Sequence, residues 1–580
     1  MSNRTTIIIA IFLLIFVFIT TVSSMAGDSL TMDELAHLPA GYSYLTQKDM
    51  RINPEHPPLI KDLSAIPLLF IKNIKFPYEI KAWKENVNGQ WDFGNNLLFK
   101  NENPADKMIF WGRMPMIFVL LLLGFYIFKW ARELFGNKAA LFALFLFSFS
   151  PTFLAHGRFV TTDVGAAAGF LIASYYFIKC LKNPTNGNII KAGISLGLAE
   201  LAKFSLVILI PLLIFLAFVW WIIKSKNFKD FLRVVFGVFI IGYLLLGLVY
   251  IYHVWNYPVE KQVADTKFLL SSFGSKFLAN FTVWMAGIPI LRAYAQYLLG
   301  LLMVMQRSAG GNTTYFLEQV SGAGWKTYFP IVYSIKEPLS FHILTIIAAL
   351  YGAWRIRDPF WKNTLQRMKK WLQNHFTEFA MLCLIGIYWV SSITSHLNIG
   401  VRHLLPTFPF VILLVSDATF SWLKQPFLKL KYVLLGLFML WQAVSVISVY
   451  PYFLAYFNEL VGGPDKGYIY VTDSNLDWGQ NLKRLKNWVD KNNIDKIYVD
   501  YFGGTDVKYY LKEKFEPWWG SRNPNELPRG SYLAVSATFL QGGRGEPVPG
   551  FDQPTGYYNW LNQYSPVAKI GYSIFVYRIP

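Results

Sequence analysis

Acidic and imidazole side chains are concentrated just after the first apolar segment of the chain. Asp33 and Glu34 are followed by His37, and Glu55 and His56 lie in the proline-rich stretch 53–59. A carboxylate here can act as a general base toward a substrate hydroxyl, and a histidine can bind phosphate or a metal ion. The alternatives are structural: the acids can open an interfacial helix, and the prolines can form a rigid turn with solvent-facing polar residues.

Asp163 lies at the start of a later apolar segment, after Thr161 and Thr162. Ionisable side chains at the edge of a membrane are costly and are usually functional or paired. Capping of the helix by Thr161, Thr162 or Asp163 itself is the alternative, and capping and function are compatible.

Arg402 and His403 precede another apolar segment, in a stretch with few other cations. The planar guanidinium of arginine suits a phosphate because it donates two parallel hydrogen bonds. We therefore expect Arg402, with His403, to serve a functional site. For Lys203 and Lys336 we expect ordinary snorkelling toward lipid headgroups.

The composition indicates that membrane helices position these residues. The chain is 54% hydrophobic and 15% charged, whereas soluble proteins average about 25% charged residues. The two cysteines do not suggest a disulfide framework. The first apolar run also resembles a cleavable signal peptide, but its length favours a retained helix. Eleven membrane spans are predicted, of which the fifth is the weakest, and they begin near Ile7, Met108, Ala139, Val160, Ile189, Ser205, Phe231, Pro338, Phe379, His403 and Tyr432.

The positive charge follows the rule for membrane topology. With the N-terminus in the cytoplasm, the cytoplasmic segments hold 20 Lys and Arg residues, against 3 in the short outer loops. These segments are the N-terminal tail and residues 129–138, 179–191, 224–233, 355–378 and 424–431. The net charge of +19 is thus topogenic, and we expect no nucleic-acid partner. The loops 27–107 and 253–337 and the C-terminal tail then face outward.

The tail has the pattern of a small α/β domain. We predict a transmembrane domain over residues 1–450 and an extracytoplasmic domain over 451–580, with a helix at 480–491 and strands at 496–502, 531–537 and 572–578. Residues 473–484 do not fit a calcium loop, because Trp478 replaces the glycine at the sixth position and Arg484 the glutamate at the twelfth. A loop ending in a helix N-cap is the better interpretation.

Four motifs in this order resemble the GT-C integral-membrane glycosyltransferases of family 39, which include protein O-mannosyltransferases and lipid A aminoarabinose transferases. They are the acidic pair Asp33-Glu34, the turn Glu55-His56-Pro57-Pro58, the acid Asp163, and Gly400, Arg402, Leu404 and Pro406 in one segment. The stretches 328–330 and 336–339 are also similar to the approach to a late helix in this family. The resemblance covers roughly residues 1–450.

The resemblance implies a mainly α, polytopic GT-C fold and transfer of a sugar from a polyprenyl-phosphate donor, with inversion, at the outer membrane face. Asp33 would be the general base, with Glu34 and Asp163 shaping the pocket. The donor phosphate would face Arg402, His56 and His403, and the acceptor pocket would include Glu55 and His37. The acceptor would be a lipid, a protein or a glycan, and the expected location is a bacterial inner membrane.

One departure weakens the phosphate assignment, because lipid A relatives have lysine where this chain has His56, and a neutral histidine stabilises a leaving phosphate less well. A divalent metal ion remains an open alternative with no assigned ligands. Two other functions also remain open: a transporter or flippase of lipid-linked sugars, and a noncatalytic envelope-assembly protein. The chain contains no Gly-x-x-x-x-Gly-Lys loop, no Gly-x-Ser-x-Gly elbow and no His-Glu-x-x-His motif.

Overall fold

The computed structural model of the protein describes residues 1–224, 227–355, 364–423 and 428–580. Positions 225–226, 356–363 and 424–427, which belong to three predicted cytoplasmic segments, lie outside the described residues. The fold class is confirmed: the chain is mainly helical, and a small α/β part forms its C-terminal end.

The helices are numbered in chain order. Those before the second long loop are α1 Asn3–Met25, α2 Met32–Gln47, α3 Leu59–Ala65, α4 Lys81–Lys84, α5 Gln90–Asn95, α6 Ala105–Phe135, α7 Asn137–Ser148, α8 Pro151–His156, α9 Thr162–Lys182, α10 Asn186–Ala202, α11 Leu209–Lys224 and α12 Phe228–His253. Those that follow are α13 Val259–Leu269, α14 Lys276–Ala286, α15 Arg292–Gly310, α16 Tyr328–Lys336, α17 Leu339–Arg355, α18 Thr364–Asn374, α19 Phe376–Thr394, α20 Phe408–Leu423, α21 Leu428–Ile447, α22 Leu482–Lys491, α23 Val507–Leu511 and α24 Ala537–Gly542.

The part of the chain that the structure describes contains fewer long apolar helices than the eleven predicted spans. Among the described residues, eight helices are long and apolar enough to cross a membrane, or nine if a bent pair is counted as one span. The predicted spans near Ala139 and Ile189 correspond to α7 and α10, which have 12 and 17 residues. Apolar runs alone did not predict that these helices would be so short.

The bent pair is formed by α16 and α17, which meet at an angle of 115°. Pro338 lies at the break, where a proline cannot continue the hydrogen bonding of a helix. Beside the break, Lys336 is 3% exposed and donates hydrogen bonds to the carbonyl oxygens of Leu454, Tyr456 and Asn475. The expectation that Lys336 snorkels toward headgroups is therefore wrong, and this lysine instead ties the bent pair to the C-terminal part.

The C-terminal part contains a five-stranded sheet with the order β4-β3-β5-β8-β7. The eight strands of the protein are β1 Thr314–Phe316, β2 Gln319–Ser321, β3 Ile497–Asp500, β4 Phe515–Pro517, β5 Tyr532–Ser536, β6 Glu546–Pro547, β7 Ala568–Ile570 and β8 Ile574–Arg578. Strand β3 runs parallel to β4 and β5, while β8 is antiparallel to β5 and β7. The predicted helix and the three predicted strands coincide with α22, β3, β5 and β8.

The two long loops and the C-terminal part meet at one end of the helical bundle. Strand β6 of the C-terminal part pairs with β2 of the second loop, with Val320 opposite Pro547. Thr505 Oγ1 donates a hydrogen bond of 3.1 Å to the Leu30 carbonyl in the first loop. The three large polar regions that were predicted to share one membrane face are therefore in mutual contact.

Candidate functional site

The first turn of α2 places Asp33 and Glu34 in different surroundings. The Thr31 backbone N–H donates a hydrogen bond of 2.9 Å to Glu34 Oε2, so that Glu34 closes the N-terminus of the helix. Successive side chains on a helix point about 100° apart. Asp33 consequently faces outward with 26% of its side chain exposed, while Glu34 is fully buried.

Glu34 anchors the surrounding segments and does not line the site. Its two carboxylate oxygens accept hydrogen bonds of 2.8 and 2.6 Å from Arg113 Nε and Nη2 on α6. The Val160 backbone N–H donates to Glu34 Oε1 at 3.0 Å. A buried carboxylate needs a compensating charge, and Arg113 supplies it for Glu34. The structure therefore places Glu34 against Arg113 and not in the predicted pocket.

Arg402 joins two of the carboxylates that the sequence singled out. Its Nη1 donates hydrogen bonds of 2.8 Å to Asp33 Oδ2 and 3.1 Å to Asp163 Oδ2. The arginine belongs to the 3₁₀ helix Val401–Thr407, which leads into α20. The side chains of residues 33, 163 and 402, which are far apart in the sequence, therefore form one ionic cluster.

Asp163 lies behind this cluster and holds two cations. It is fully buried at the first turn of α9, and its Oδ1 accepts a hydrogen bond of 2.5 Å from Lys203 Nζ. The side chain of Lys203 is only 11% exposed. The expectation of snorkelling is therefore wrong for Lys203, because a partner 40 residues earlier draws its ammonium inward. Asp163 orients Lys203 and Arg402 and does not itself line the cavity.

The proline-rich turn is held by a buried lysine. Lys61 Nζ donates hydrogen bonds of 2.8 Å to the carbonyl oxygens of Asn53 and His56. The His56 ring makes an edge contact with the His37 ring, at 5.0 Å between centroids. Burial lowers the pKa of His37 and places that of His56 well below its usual range, with Lys61 acting in the same direction. Both rings are consequently neutral near pH 7, and His56 can offer a phosphate a hydrogen bond but no charge.

Glu55 is oriented by a residue that the sequence analysis missed. Arg307 Nη1, near the end of α15, donates a hydrogen bond of 3.2 Å to Glu55 Oε1, and Gln90 Nε2 donates to Oε2 at 3.0 Å. The Arg307 side chain is 48% exposed. The only feature of the sequence that could have pointed to Arg307 was a positive charge on an apolar helix of the second long loop.

These side chains surround a cavity of about 580 Å³. Its polar lining includes Asp33, His37, Glu55, His56, Gln90, Thr162, Lys203, Arg307, Arg402 and His403. Its apolar lining includes Phe204, Val207, Ile208 and Pro211, next to Leu301, Val304 and Met305 of α15. Residues 204–211 begin a helix that is long and apolar enough to span a membrane, so the cavity joins a charged region to the apolar start of a candidate span. In the part of the chain that the structure describes, no three His, Cys, Asp or Glu side chains form a group that could hold a metal ion.

Comparison with known families gives one match in sequence. Residues 105–245 match the family model described as dolichyl-phosphate-mannose-protein mannosyltransferase. The resemblance to the GT-C glycosyltransferases of family 39 is confirmed. The matched region includes Asp163 and Lys203 but neither Asp33 nor Arg402. No curated protein sequence matches this chain.

Several solved structures are similar to the chain at low identity, among them the following three. The Archaeoglobus fulgidus oligosaccharyltransferase is 13% identical with a TM-score of 0.45, over 97% of this chain and 74% of that protein. ArnT from Cupriavidus metallidurans is 13% identical with a TM-score of 0.31, over 99% and 98%. The Saccharomyces cerevisiae Pmt1-Pmt2 protein O-mannosyltransferase is 17% identical with a TM-score of 0.33, over 44% and 34%.

Proposed function

We propose that this protein transfers a sugar from a polyprenyl-phosphate donor to an acceptor hydroxyl, with inversion at the anomeric carbon. The observation that carries the proposal is the placement of Asp33 and Arg402, joined at 2.8 Å, on a cavity whose apolar wall is partly formed by a candidate membrane span. A carboxylate can act as the general base in this reaction, and an arginine can bind its leaving phosphate.

The cavity suits a lipid-linked phosphate. A polyprenyl tail would lie against the apolar wall of residues 204–211 and 301–305, where each buried CH₂ contributes about 0.8 kcal/mol. The phosphate would meet Lys203, Arg307 and Arg402, all of which line the cavity. These cations would stabilise the negative charge that develops on the leaving phosphate.

The bond changes assign a distinct task to each partner of the ion pair. The acceptor oxygen forms a bond to the anomeric carbon while the bond from that carbon to the phosphate oxygen breaks, and polyprenyl phosphate leaves with the electron pair. Asp33 accepts the proton of the acceptor hydroxyl. Because Arg402 Nη1 contacts both Asp33 and Asp163, a donor phosphate would compete with Asp33 for the guanidinium. Donor binding would thereby free Asp33 for the acceptor.

The coarser part of the proposal, a glycosyltransferase that uses a lipid-linked sugar, is supported by the family match over residues 105–245. The acceptor would be a hydroxyl on a lipid, a protein or a glycan, and the setting a bacterial inner membrane. His56 and His403 would contribute hydrogen bonds at the phosphate side, and Glu55 and His37 would contact the acceptor or the sugar. Glu34 is not included among the reacting groups, since it lies outside the cavity.

The experiment uses a strain of the source organism that lacks this protein. Radiolabelled polyprenyl-phosphate sugars are incubated with membranes of that strain, supplemented with the purified wild-type or Asp33→Asn protein. We expect the wild type to label a lipid, protein or glycan fraction and Asp33→Asn to transfer about 10²–10⁴-fold more slowly, since it lacks the base.

Asp92→Asn is the matched control, because Asp92 is an exposed carboxylate of the same loop outside the cavity lining. This variant should retain wild-type transfer. Wild-type turnover by Asp33→Asn would remove Asp33 as the base, and no labelled product from any donor would contradict the proposed activity.

A further inference from the structure

A segment of the C-terminal part reaches the back of the site. We name residues 473–480 the tail segment. Its Ser474 Oγ accepts a hydrogen bond of 3.0 Å from Arg402 Nε, and the Trp478 ring lies 4.2 Å from the guanidinium carbon of Arg402. Asn475 Oδ1 accepts a hydrogen bond of 2.9 Å from the Val401 backbone N–H. The tail segment therefore contacts the Nε edge of the Arg402 guanidinium, the face of that guanidinium and the backbone of the preceding residue.

The tail segment also holds the helix that carries Asp33. The Met32 backbone N–H donates a hydrogen bond of 3.0 Å to the Trp478 carbonyl, and the Ser29 N–H donates one of 2.9 Å to the Gln480 carbonyl. Ser29 Oγ donates to the Gly479 carbonyl at 2.7 Å. Both members of the Asp33–Arg402 pair thus rest on the same eight-residue segment.

The tail segment is in turn fixed by the first turn of α24, which directly follows β5 of the sheet. Thr538, just after β5, donates its backbone N–H to Asp477 Oδ2 at 2.9 Å, and its hydroxyl accepts the Asp473 N–H at 3.1 Å. Trp478 is 1% exposed. The carboxyl ends of parallel strands are common ligand sites. Here the carboxyl end of β5 contacts the chain's own site.

Gly400 shows how closely the two parts approach. A Cβ at position 400 would lie 2.2 Å from Ser474 Oγ, and the φ angle of Gly400 is +153°. No side chain could occupy this position without displacing Ser474. The glycine of the Gly-x-Arg motif is therefore explained by the contact with the tail segment.

We infer that the tail segment is a positioning element of the transfer site, and that Trp478 and Ser474 act by holding the guanidinium of Arg402 between Asp33 and Asp163. The inference rests on the proposed function, because it assigns Arg402 to the donor phosphate. The C-terminal part is then a component of the transfer apparatus. Stacking restrains the plane of the guanidinium, while the Ser474 oxygen satisfies Nε, so both of its Nη atoms are left to ionic partners.

The test is a double-mutant cycle with the full-length protein in lipid nanodiscs and undecaprenyl phosphate as the probe. Trp478→Leu, Ser474→Ala and Arg402→Ala are measured singly, and each of the first two is also combined with Arg402→Ala. We expect Trp478→Leu and Ser474→Ala each to weaken probe binding about tenfold, and neither to weaken it further once Arg402 is absent. Trp478→Phe should restore most of the binding, because phenylalanine retains an aromatic face.

Trp488→Leu is the matched control, since Trp488 packs on Tyr532 in the same part of the chain and does not line the cavity. It should bind the probe as the wild type does. If Trp478→Leu does not fold, Ser474→Ala decides the outcome. Two results would overturn the positioning role alone. In the first, the effects of Trp478→Leu and Ser474→Ala add to that of Arg402→Ala. In the second, these two variants bind the probe normally while Arg402→Ala does not. Normal binding by Arg402→Ala would instead contradict the phosphate assignment of the proposed function.

Discussion

Charge balance at the level of single residues explains why the site residues depend on one another. Asp33 and Asp163 share Arg402, and Asp163 also binds Lys203. Removing one member of such a buried cluster leaves its partners uncompensated, which generally destabilises a protein by about 3–5 kcal/mol. Substitutions here must therefore be compared with measurements of folding, and neutral replacements of similar shape, such as Asp33→Asn, are the more informative ones.

Asp477 provides a test of this balance by pH. Its side chain is fully buried, and Asp477 Oδ1 has no hydrogen-bond partner. Burial raises the pKa of Asp477 to about 7, against hydrogen bonds from Thr538 that favour the ionised form. This pKa is higher than in the unfolded chain. The stability that the protonated Asp477 carboxyl contributes is therefore fully present below about pH 3.9 and is lost as the pH rises through about 7.

We therefore expect Asp477→Asn to gain up to about 4 kcal/mol of stability relative to the wild type between pH 4 and pH 8. Thermal unfolding of the two proteins across this range measures the difference. Asp552→Asn, at an exposed position of the same part of the chain, should follow the wild type. Parallel pH profiles for Asp477→Asn and the wild type would show that the carboxyl ionises without penalty.

Single residues of the site were predicted when their chemistry was local. Asp33 and Arg402 followed from residue type and from position next to apolar segments, and the structure places both on one cavity. Lys203 was predicted to reach lipid headgroups, because the sequence does not show that Asp163, 40 positions earlier, is its ionic partner. Trp478 was interpreted as part of a loop, since no pattern indicates that a ring will stack on an arginine 76 positions earlier.

At the scale of elements, the contact between the C-terminal part and α2 depends on a glycine. A Cβ on Gly504 would lie 2.5 Å from the Thr31 carbonyl oxygen, which is closer than atoms can pack. Gly503 and Gly504 follow β3, and the turn that they form allows the close approach of two backbones. Sequence periodicity predicted the strand, whereas the partner of the turn depends on tertiary packing.

Gly504→Ala should accordingly loosen the C-terminal part from α2. Overpacking of this kind typically costs about 1–3 kcal/mol. We expect a lower unfolding temperature and faster proteolytic release of a fragment comprising roughly residues 451–580. Gly542→Ala is the control, because a Cβ at Gly542 has nothing within 4 Å. Equal proteolysis of the two variants would mean that the contact at Thr31 does not hold the C-terminal part in place.

For the whole molecule, the charge bias predicts an orientation in the membrane. The cytoplasmic segments were predicted from 20 Lys and Arg residues against 3 in the short outer loops, and the structure gathers the long loops and the C-terminal part at one end. Apolar periodicity predicted the helical class but not the lengths of α7 and α10, which have 12 and 17 residues. Orientation, in contrast, depends on charge counts that are visible in the sequence.

Cysteine labelling in intact cells tests that orientation. In a background with Cys180→Ala and Cys383→Ala, we expect a membrane-impermeant maleimide to label Asn492→Cys directly and Gly187→Cys only after permeabilisation. Both positions are exposed, and a Cβ at Gly187 has nothing within 4 Å. Since the Ser29 N–H donates to the Gln480 carbonyl at 2.9 Å, position 492 of the C-terminal part reports on the side that Asp33 faces. The reverse labelling pattern would place Asp33 toward the cytosol and would contradict transfer at the outer face.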